Sequence, residues 1–468
     1  MQQSNEVTTA VFDLAVIGSG PGGHEAAMRA AKAGLKVCLI EKGALGGVCV
    51  NWGCIPTKAL LRSVEVLEVC QRAGTFGVVA GTPSFDLAAA VKRSRSVVLK
   101  LSKGISFSLG RAGVEIIQGE AVFRGPSDID VIRDGVTSAS VRTAQAIIAS
   151  GGRSRRLPGL EPDGERIITS KEALALKEVP ASMIVLGGGA IGVEMAWFYA
   201  KAGTAVTLVE MMPRLLPLED EEISLALQRS FSKTGITVVT GAKLENVVKN
   251  PDGVSATLHS DGDDPREIGA ELLLVAVGVS GNTEGFGLEE AGVETSRGFI
   301  VTDAECRTTA ANIFAIGDVR GGMLLAHKAS AEAAIAVKAA CGGTPEPLDE
   351  TMIPRCVYAE PSVSSIGLGE KEAEAKGYTV RAGRSLFAAS GKANAYGSLD
   401  GLVKLVFNDA DGRLLGAHAV GHGSVELIGE LGLAMKLGVT AEQLSSTVHA
   451  HPTLSETVRE AAENALGH

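Results

Sequence analysis

Twice along this chain a short apolar run breaks into a glycine-rich turn, continues as a helical stretch and returns as a second apolar run ending in glutamate. The first copy places Gly18, Gly20 and Gly23 between runs at 12–17 and 35–40 and ends at Glu41. The second places Gly187, Gly189 and Gly192 between 183–186 and 205–209 and ends at Glu210. Strand, glycine turn, helix and strand in that order predict a βαβ unit in a parallel sheet. The first glycine permits the tight turn, the second lets a pyrophosphate approach the backbone, and the third lets the helix pack on the strand. The helix N-terminus offers its free N–H groups to the phosphates. Glu41 and Glu210 can accept hydrogen bonds from ribose hydroxyls. Met211 and Met212 follow Glu210, with no adjacent cation, so the second unit predicts NAD rather than NADP.

Directly after the first unit, the run Gly46–Lys58 carries Cys49 and Cys54, five residues apart. A disulfide requires Cα atoms within roughly 7 Å, so this segment must turn or coil rather than extend. Trp52 and Gly53 supply the bend, and Pro56 suits the first turn of a helix. A helix N-terminus and Lys58 both favour a thiolate on Cys54. A dithiol cannot pass a hydride straight to a nicotinamide. A flavin exchanges electrons with both, so the first unit, beside the cysteines, is expected to hold FAD. Gly317 and Asp318, at the end of a strand predicted at 312–316, are candidates for contact with the flavin's ribityl and phosphate region. Near the C-terminus, His451 and Glu456 form a candidate base and orienting acid. Thr453 or Ser455 is a candidate helix cap in the same stretch.

The remaining composition narrows the class. The chain has 468 residues, which suggests about three domains, with 45% hydrophobic and 21% charged residues. A net charge of −10 and the lack of a basic, aromatic-interleaved stripe argue against a nucleic-acid partner. Seven cysteines without paired CxxC motifs argue against a secreted disulfide scaffold, a structural zinc site or an iron–sulfur cluster. No apolar run reaches membrane-spanning length, and the polar residues 1–9 lack a signal-peptide core. These features predict a cytoplasmic protein, a processed organellar form being the other reading. Cys38, Cys70, Cys306, Cys341 and Cys356 are expected to serve packing alone.

The predicted fold class is α/β and α+β: two Rossmann-like dinucleotide-binding domains, for FAD and NAD, and a C-terminal α+β domain. In the last, strands predicted at 364–367, 378–381, 401–407 and 414–420 accompany helices at 425–436 and 454–466. The expected boundaries are 1–150 for FAD and the redox disulfide, 151–276 for NAD, 277–350 for a return to the first domain, and 351–468 for an interface domain. Residues 151–159 are expected to be a loop.

The motifs at 18–23, 46–61, 187–194, 314–319, 325–329 and 449–456 resemble, in order, those of the class I pyridine nucleotide–disulfide oxidoreductases. Within that family the resemblance is closest to the dihydrolipoamide dehydrogenases. It implies that Cys49 exchanges with lipoyl sulfurs and that Cys54 lies against the flavin. It also implies that Lys58 sits near the flavin ring, paired with Glu194. His451, oriented by Glu456, would act across a homodimer as the base. Lipoyl domains, or lipoyl-carrying proteins of 2-oxo-acid dehydrogenase or glycine cleavage complexes, are the implied partners. Relatives often carry Arg and Pro before the asparagine of Gly278–Asn282, and a glycine where Ala333 stands; this chain has neither feature. The alternative reading is a reductase of another small disulfide such as glutathione. That rival is expected to prefer NADP and cationic substrate contacts, which Glu210 disfavours. A mercuric reductase would need a C-terminal cysteine pair, a flavin transhydrogenase would need neither Cys49 nor Cys54, and a catalytically inert scaffold would be colourless.

Overall fold

The computed structural model describes residues 9–260, 262 and 264–467, so the polar stretch 1–8 lies outside the described residues. The chain divides into two compact units. One comprises the chain up to Ala59 with Ala89–Arg155 and Gly278–Leu348; the other comprises Leu60–Ala88, Arg156–Val277 and the chain from Asp349 onward.

The first unit begins with β1 (Thr9–Ile17), α1 (Pro21–Lys32) and β2 (Val37–Glu41). Pro21 fits the first helical turn, where its missing N–H costs nothing. β1 and β2 run parallel, with Leu14 opposite Val37 and Ile17 opposite Ile40. The sheet order is Glu115–Gln118, β2, β1, Val136–Ile148, Asp128–Arg133 and Glu120–Phe123, with Ile313–Ala315 also pairing with Val136–Ile148. α1 packs with the helix Ala326–Ala340 through small residues. Ala26, Ala27, Ala30, Ala333 and Ala336 are fully buried in one apolar cluster with Leu14, Val16 and Leu39. A Cβ on Gly22 would sit 3.0 Å from the Ala329 carbonyl oxygen, so small side chains set this close helix spacing. The expected loop at 151–159 contains a strand. Gly152–Ser154 pairs antiparallel with Val279–Gly281, because the returning chain supplies a partner that local sequence does not reveal.

After β2 come α2 (Gly47–Trp52), α3 (Cys54–Gln71) and α4 (Leu87–Arg111). Gly53 separates α2 from α3 with φ −140° and ψ −116°, so the chain coils, breaks and coils again across the cysteine pair.

The second unit repeats the nucleotide-binding pattern. Its five-stranded parallel sheet runs Thr237–Val239, Ala205–Val209, Ser182–Leu186, Leu272–Val275, Ile167–Ile168. The helix Ala190–Ala202 follows Ser182–Leu186 and buries Trp197, Phe198 and Tyr199 almost completely. The same unit holds an antiparallel sheet in the order Arg355–Val357, Ser362–Gly367, Leu414–Gly421, Leu402–Asn408, Val380–Leu386. Helices Ser424–Lys436 and Glu456–Leu466 cover it, sharing a core with Val403, Leu405, Phe407, Ala417 and Ala419. Among the described residues, no helix is long and apolar enough to cross a membrane.

Candidate active site

The two glycine turns are built alike. Gly18 has φ +98° and Gly187 φ +112°, and a Cβ on either would come within 2.4 Å of a carbonyl oxygen, of Ala149 and Ala276 respectively. Gly23 and Gly192 pack against the first glycine of their own loop; a Cβ there would lie 1.9 Å and 1.8 Å from the carbonyl oxygens of Gly18 and Gly187. The protein's own packing therefore requires these four glycines. The middle pair differs, since a Cβ on Gly20 or Gly189 would meet nothing within 4 Å. A ligand approaching the backbone is what glycine there would admit. Gly20 and Gly189 also cap the two helices without any side-chain hydrogen bond, and neither first turn holds an acid. By contrast, Asp220 caps its helix with a carboxylate. The two turns thus keep N–H donors available for phosphate, and dinucleotides fit them.

Both acids clasp their turn in the same way. Glu41 Oε2 accepts the Ser19 N–H at 2.9 Å and the Ser19 hydroxyl at 2.6 Å, while Oε1 accepts the Gly43 N–H at 2.7 Å. Glu210 Oε2 accepts the Gly188 N–H at 2.5 Å, and Oε1 accepts the Met212 N–H at 2.7 Å. A carboxylate has about four acceptor sites, so either can still receive ribose hydroxyls.

Ser19 connects the first turn to the cysteines. It is fully buried, and its Oγ accepts the Gly46 N–H at 3.0 Å. Gly46 (φ +105°) and Gly47 (φ +60°) open α2, and a Cβ on Gly47 would lie 2.6 Å from Gly20 Cα. Asn51 closes the loop from inside, donating to the carbonyls of Ala44, Leu45 and Gly47 at 3.2, 3.1 and 2.9 Å. Sequence reading missed Ser19 and Asn51. Their types are ordinary, and only an Asn beside the cysteine run hints at a loop anchor.

Cys49 and Cys54 are not joined by a disulfide in this structure. They lie within hydrogen-bonding reach of each other. The Cys49 thiol pKa is pushed upward, first by its hydrogen bond with Cys54 and then by burial, while the Lys58 charge opposes the shift. Cys54 is the first residue of α3 and more exposed than Cys49. Lys58 follows it on the same helix. Cys38 and Cys306 are buried, and burial raises both thiols to about 12, which leaves them unreactive.

Gly317 (φ +73°) and Asp318 begin the short turn Gly317–Arg320 after Ile313–Ala315. The Gly317 N–H donates to the buried Glu332 at 2.7 Å. Glu332 also receives Arg320 at 2.6 Å and Lys328 at 2.8 Å. Burial raises the Asp318 carboxyl; Lys328 opposes this and Glu332 adds to it. In the stretch that lacks the relatives' Arg and Pro, Asn282 Nδ2 donates to the Ser150 carbonyl at 2.9 Å, and Arg153 donates to the Gly281 carbonyl at 3.0 Å. This segment is therefore tied in place by its neighbours.

In the second unit, His451 Nδ1 lies 2.9 Å from Glu456 Oε1, and Glu456 Oε2 accepts the Thr453 N–H at 2.9 Å. The Thr453 N–H first, then His451, lower the Glu456 carboxyl. The acid thereby fixes one ring nitrogen and leaves Nε2 for chemistry, on a side chain that is 78% exposed. Neither expected hydroxyl cap forms: Ser455 stands at the helix start without a side-chain cap bond, since the Thr457 and Val458 N–H groups go to the Leu454 and Ser455 carbonyls, and the Thr453 hydroxyl donates to the Ala450 carbonyl. A second pair, not foreseen from sequence, joins His449 Nε2 to Glu430 at 2.7 Å. Glu194 is buried, and its carboxylate accepts the Tyr358 N–H at 3.0 Å.

Paired nucleotide turns, an adjacent dithiol and a carboxylate-oriented histidine define a nucleotide-linked disulfide oxidoreductase. The chain belongs to the pyridine nucleotide-disulphide oxidoreductase family, whose description matches residues 12–333; residues 353–462 match that family's dimerisation domain. FAD and NAD are its cofactors, and it pairs as a homodimer. It is 64% identical to dihydrolipoyl dehydrogenase of Chlorobaculum parvum, covering 100% of this chain and 99% of that one. Identity to the Chlorobaculum tepidum dihydrolipoyl dehydrogenase is 63%, with the same coverage. Among solved structures, LpdA from Mycobacterium tuberculosis superposes with a TM-score of 0.89 at 28% identity, covering 97% of this chain and 99% of that one.

Proposed function

We propose that this chain oxidises protein-bound dihydrolipoamide to lipoamide and reduces NAD+ to NADH. The observation that carries the reading is the hydrogen-bonded Cys49–Cys54 pair on a helix break fastened to the first dinucleotide turn. In the oxidised protein a dihydrolipoyl thiolate attacks Cys49, forming a mixed disulfide and releasing Cys54 as thiolate. The second lipoyl sulfur then displaces Cys49, leaving lipoamide and the reduced pair. His451, held by Glu456, takes the thiol proton; in the homodimer it acts on the partner's dithiol. FAD held beside the dithiol would supply the redox chemistry that links the Cys49–Cys54 pair to NAD+.

The remaining residues support this sequence. Gly18, Gly20, Gly23 and Glu41 would hold FAD, with Lys58, Gly317 and Asp318 as its further candidate contacts. Gly187, Gly189, Gly192 and Glu210 would hold NAD, with Glu194 as a further candidate contact. The domain boundaries proposed are 1–150 with 277–350 for FAD, 151–276 for NAD and 351–468 for dimerisation. Lipoyl domains of a 2-oxo-acid dehydrogenase or glycine cleavage complex are the physiological partners.

Cys49→Ser tests the reading. It is expected to abolish lipoamide-dependent NAD+ reduction while the purified protein stays yellow. Turnover within tenfold of wild type would refute it.

A further inference from the structure

Three consecutive residues of α4 grip the cysteine segment. Arg95 Nη1 donates to the Asn51 carbonyl at 2.7 Å, Ser94 Oγ to the Pro56 carbonyl at 3.2 Å, and Arg93 Nη1 to the Ala59 carbonyl at 3.0 Å. The first bond lands on α2, which carries Cys49. The other two land on α3, which carries Cys54. The grip therefore spans the break at Gly53. The Arg95 guanidinium also lies over the Trp52 ring, 4.6 Å from its centroid, and so holds the last residue of α2 by its side chain as well.

This arrangement is costly for simple stability. Arg95 Nε and Nη2 are buried and have no hydrogen-bond partner among the described residues. Burial lowers the Arg95 pKa, which marks an unfavourable setting for the charge. A guanidinium nevertheless stays protonated in proteins. Exchanging a guanidinium with two buried, unpartnered nitrogens for an apolar side chain of similar volume is expected to cost little stability or to add some. Lys58 is the cation among the main influences on the Cys49 thiol. Arg95 instead contacts the segment through the Asn51 carbonyl and the Trp52 ring, a geometric hold.

We propose that Arg93–Ser94–Arg95 is a splint across the Gly53 break that fixes the separation of the Cys49 and Cys54 sulfurs, with Arg95 the principal positioning residue. A dithiol held at bonding distance has little freedom to lose on closing, so the splint favours the disulfide. Without it the sulfurs drift apart, and the dithiol–disulfide equilibrium moves toward the dithiol.

The inference rests on the proposed redox role of the pair, but its test needs neither lipoamide nor NAD+. The holoenzyme is equilibrated in glutathione buffers of varied ratio and then alkylated, and the Cys49–Cys54 state is read by mass spectrometry. In this exchange the two protein thiols become one disulfide while one glutathione disulfide becomes two thiols, so two electrons and two protons move. Arg95→Met is expected to lower the equilibrium constant for disulfide formation about tenfold, a rise of about 30 mV in midpoint potential. Ser94→Ala is expected to lower it about threefold. Arg95→Lys keeps one donor and the cation over Trp52, and is expected to restore most of the loss. The thermal midpoint of Arg95→Met should stay level or rise, which a purely structural role would not give. Equilibrium constants within twofold of wild type for both Arg95→Met and Ser94→Ala would overturn the splint. Should Arg95→Met fail to fold, Ser94→Ala decides alone. A wild-type pair that never cycles in these buffers would instead refute the redox role itself.

Discussion

Glycines that look interchangeable in sequence answer to different masters in the structure. Gly23 is demanded by the Gly18 carbonyl oxygen, whereas Gly20 faces open space. Gly23→Ala is therefore expected to lower the melting temperature of the flavin-free protein, at a cost of about 1–3 kcal/mol from the forced backbone shift. Gly20→Ala should leave that melting temperature unchanged while weakening FAD retention through gel filtration. Equal effects of the two substitutions on the flavin-free protein would show that packing alone explains both. These glycines, the cysteines and the His451–Glu456 pair were legible because their spacing is local. Ser19 and Arg95 were not, because each is of common type and acts on residues many positions away; Asn51 acts locally, but no pattern in its neighbours marks it as a loop anchor. Thr453 was read as a hydroxyl cap, yet it is its backbone N–H that matters, and no side-chain pattern reports that.

At the scale of elements, parallel strands and alanine-rich helices were visible as apolar runs, usually within a few residues of their ends. The strand Val136–Ile148 begins well before its apolar end at 144–148, because its outer half carries Ser138 and Ser140, whose hydroxyls bond to Val131 and Asp130 on the neighbouring strand Asp128–Arg133. α2 was unpredictable from propensity, since two glycines open it. The helix Glu221–Lys233 carries another feature hidden from local pattern. Lys404, nearly fully buried, reaches Asp220 and Glu222 at 2.9 Å and Glu370 at 2.8 Å, and Arg384 joins Glu222 and Glu370. His418 is buried nearby with Nε2 bonded to the Leu368 carbonyl, and Arg355 pairs with Glu219 at 3.0 Å. Burial works to raise the Asp220 carboxyl, but Lys404, His418 and the Glu222 N–H together outweigh it and the group is held below its usual range. Arg384 first, then Lys404, bring Glu222 to about 2. Acids lowered by folding stabilise above their unfolded pKa and lose that contribution as pH falls through the folded value. Stability should therefore decline from about pH 4.5 downward to about pH 2, and salt, by screening the ion pairs, should make that decline shallower. Lys404→Met strands the buried Asp220 and is expected to cost about 3–5 kcal/mol at pH 7, with a shallower acid dependence in urea melts. An unchanged pH profile would show that the cluster contributes little.

At the scale of the whole molecule, the proposed function makes the active site a shared property of the homodimer. Cys49→Ser and His451→Ala homodimers should each be nearly inactive with lipoamide. After subunit exchange, a mixed dimer pairs an intact dithiol from one chain with an intact His451 from the other. Equal mixing is then expected to restore about a quarter of wild-type activity, one good site in half of the dimers. No recovery despite verified exchange would place His451 on its own chain's dithiol. The composition and net charge read from sequence bore on this scale only by excluding partners, since pairing depends on faces that folding assembles.

The Ser19 bond to Gly46 and the contact of Gly47 with Gly20 also bear on how a newly made chain matures. The thiols are suspended from the loop that receives the flavin. Glu41 and Ser19 fasten that loop, and its helix N–H groups are left for phosphate. Flavin bound there would stiffen the mount on which the two sulfurs meet, so a flavin-loaded chain is expected to close the Cys49–Cys54 disulfide more readily than a flavin-free one.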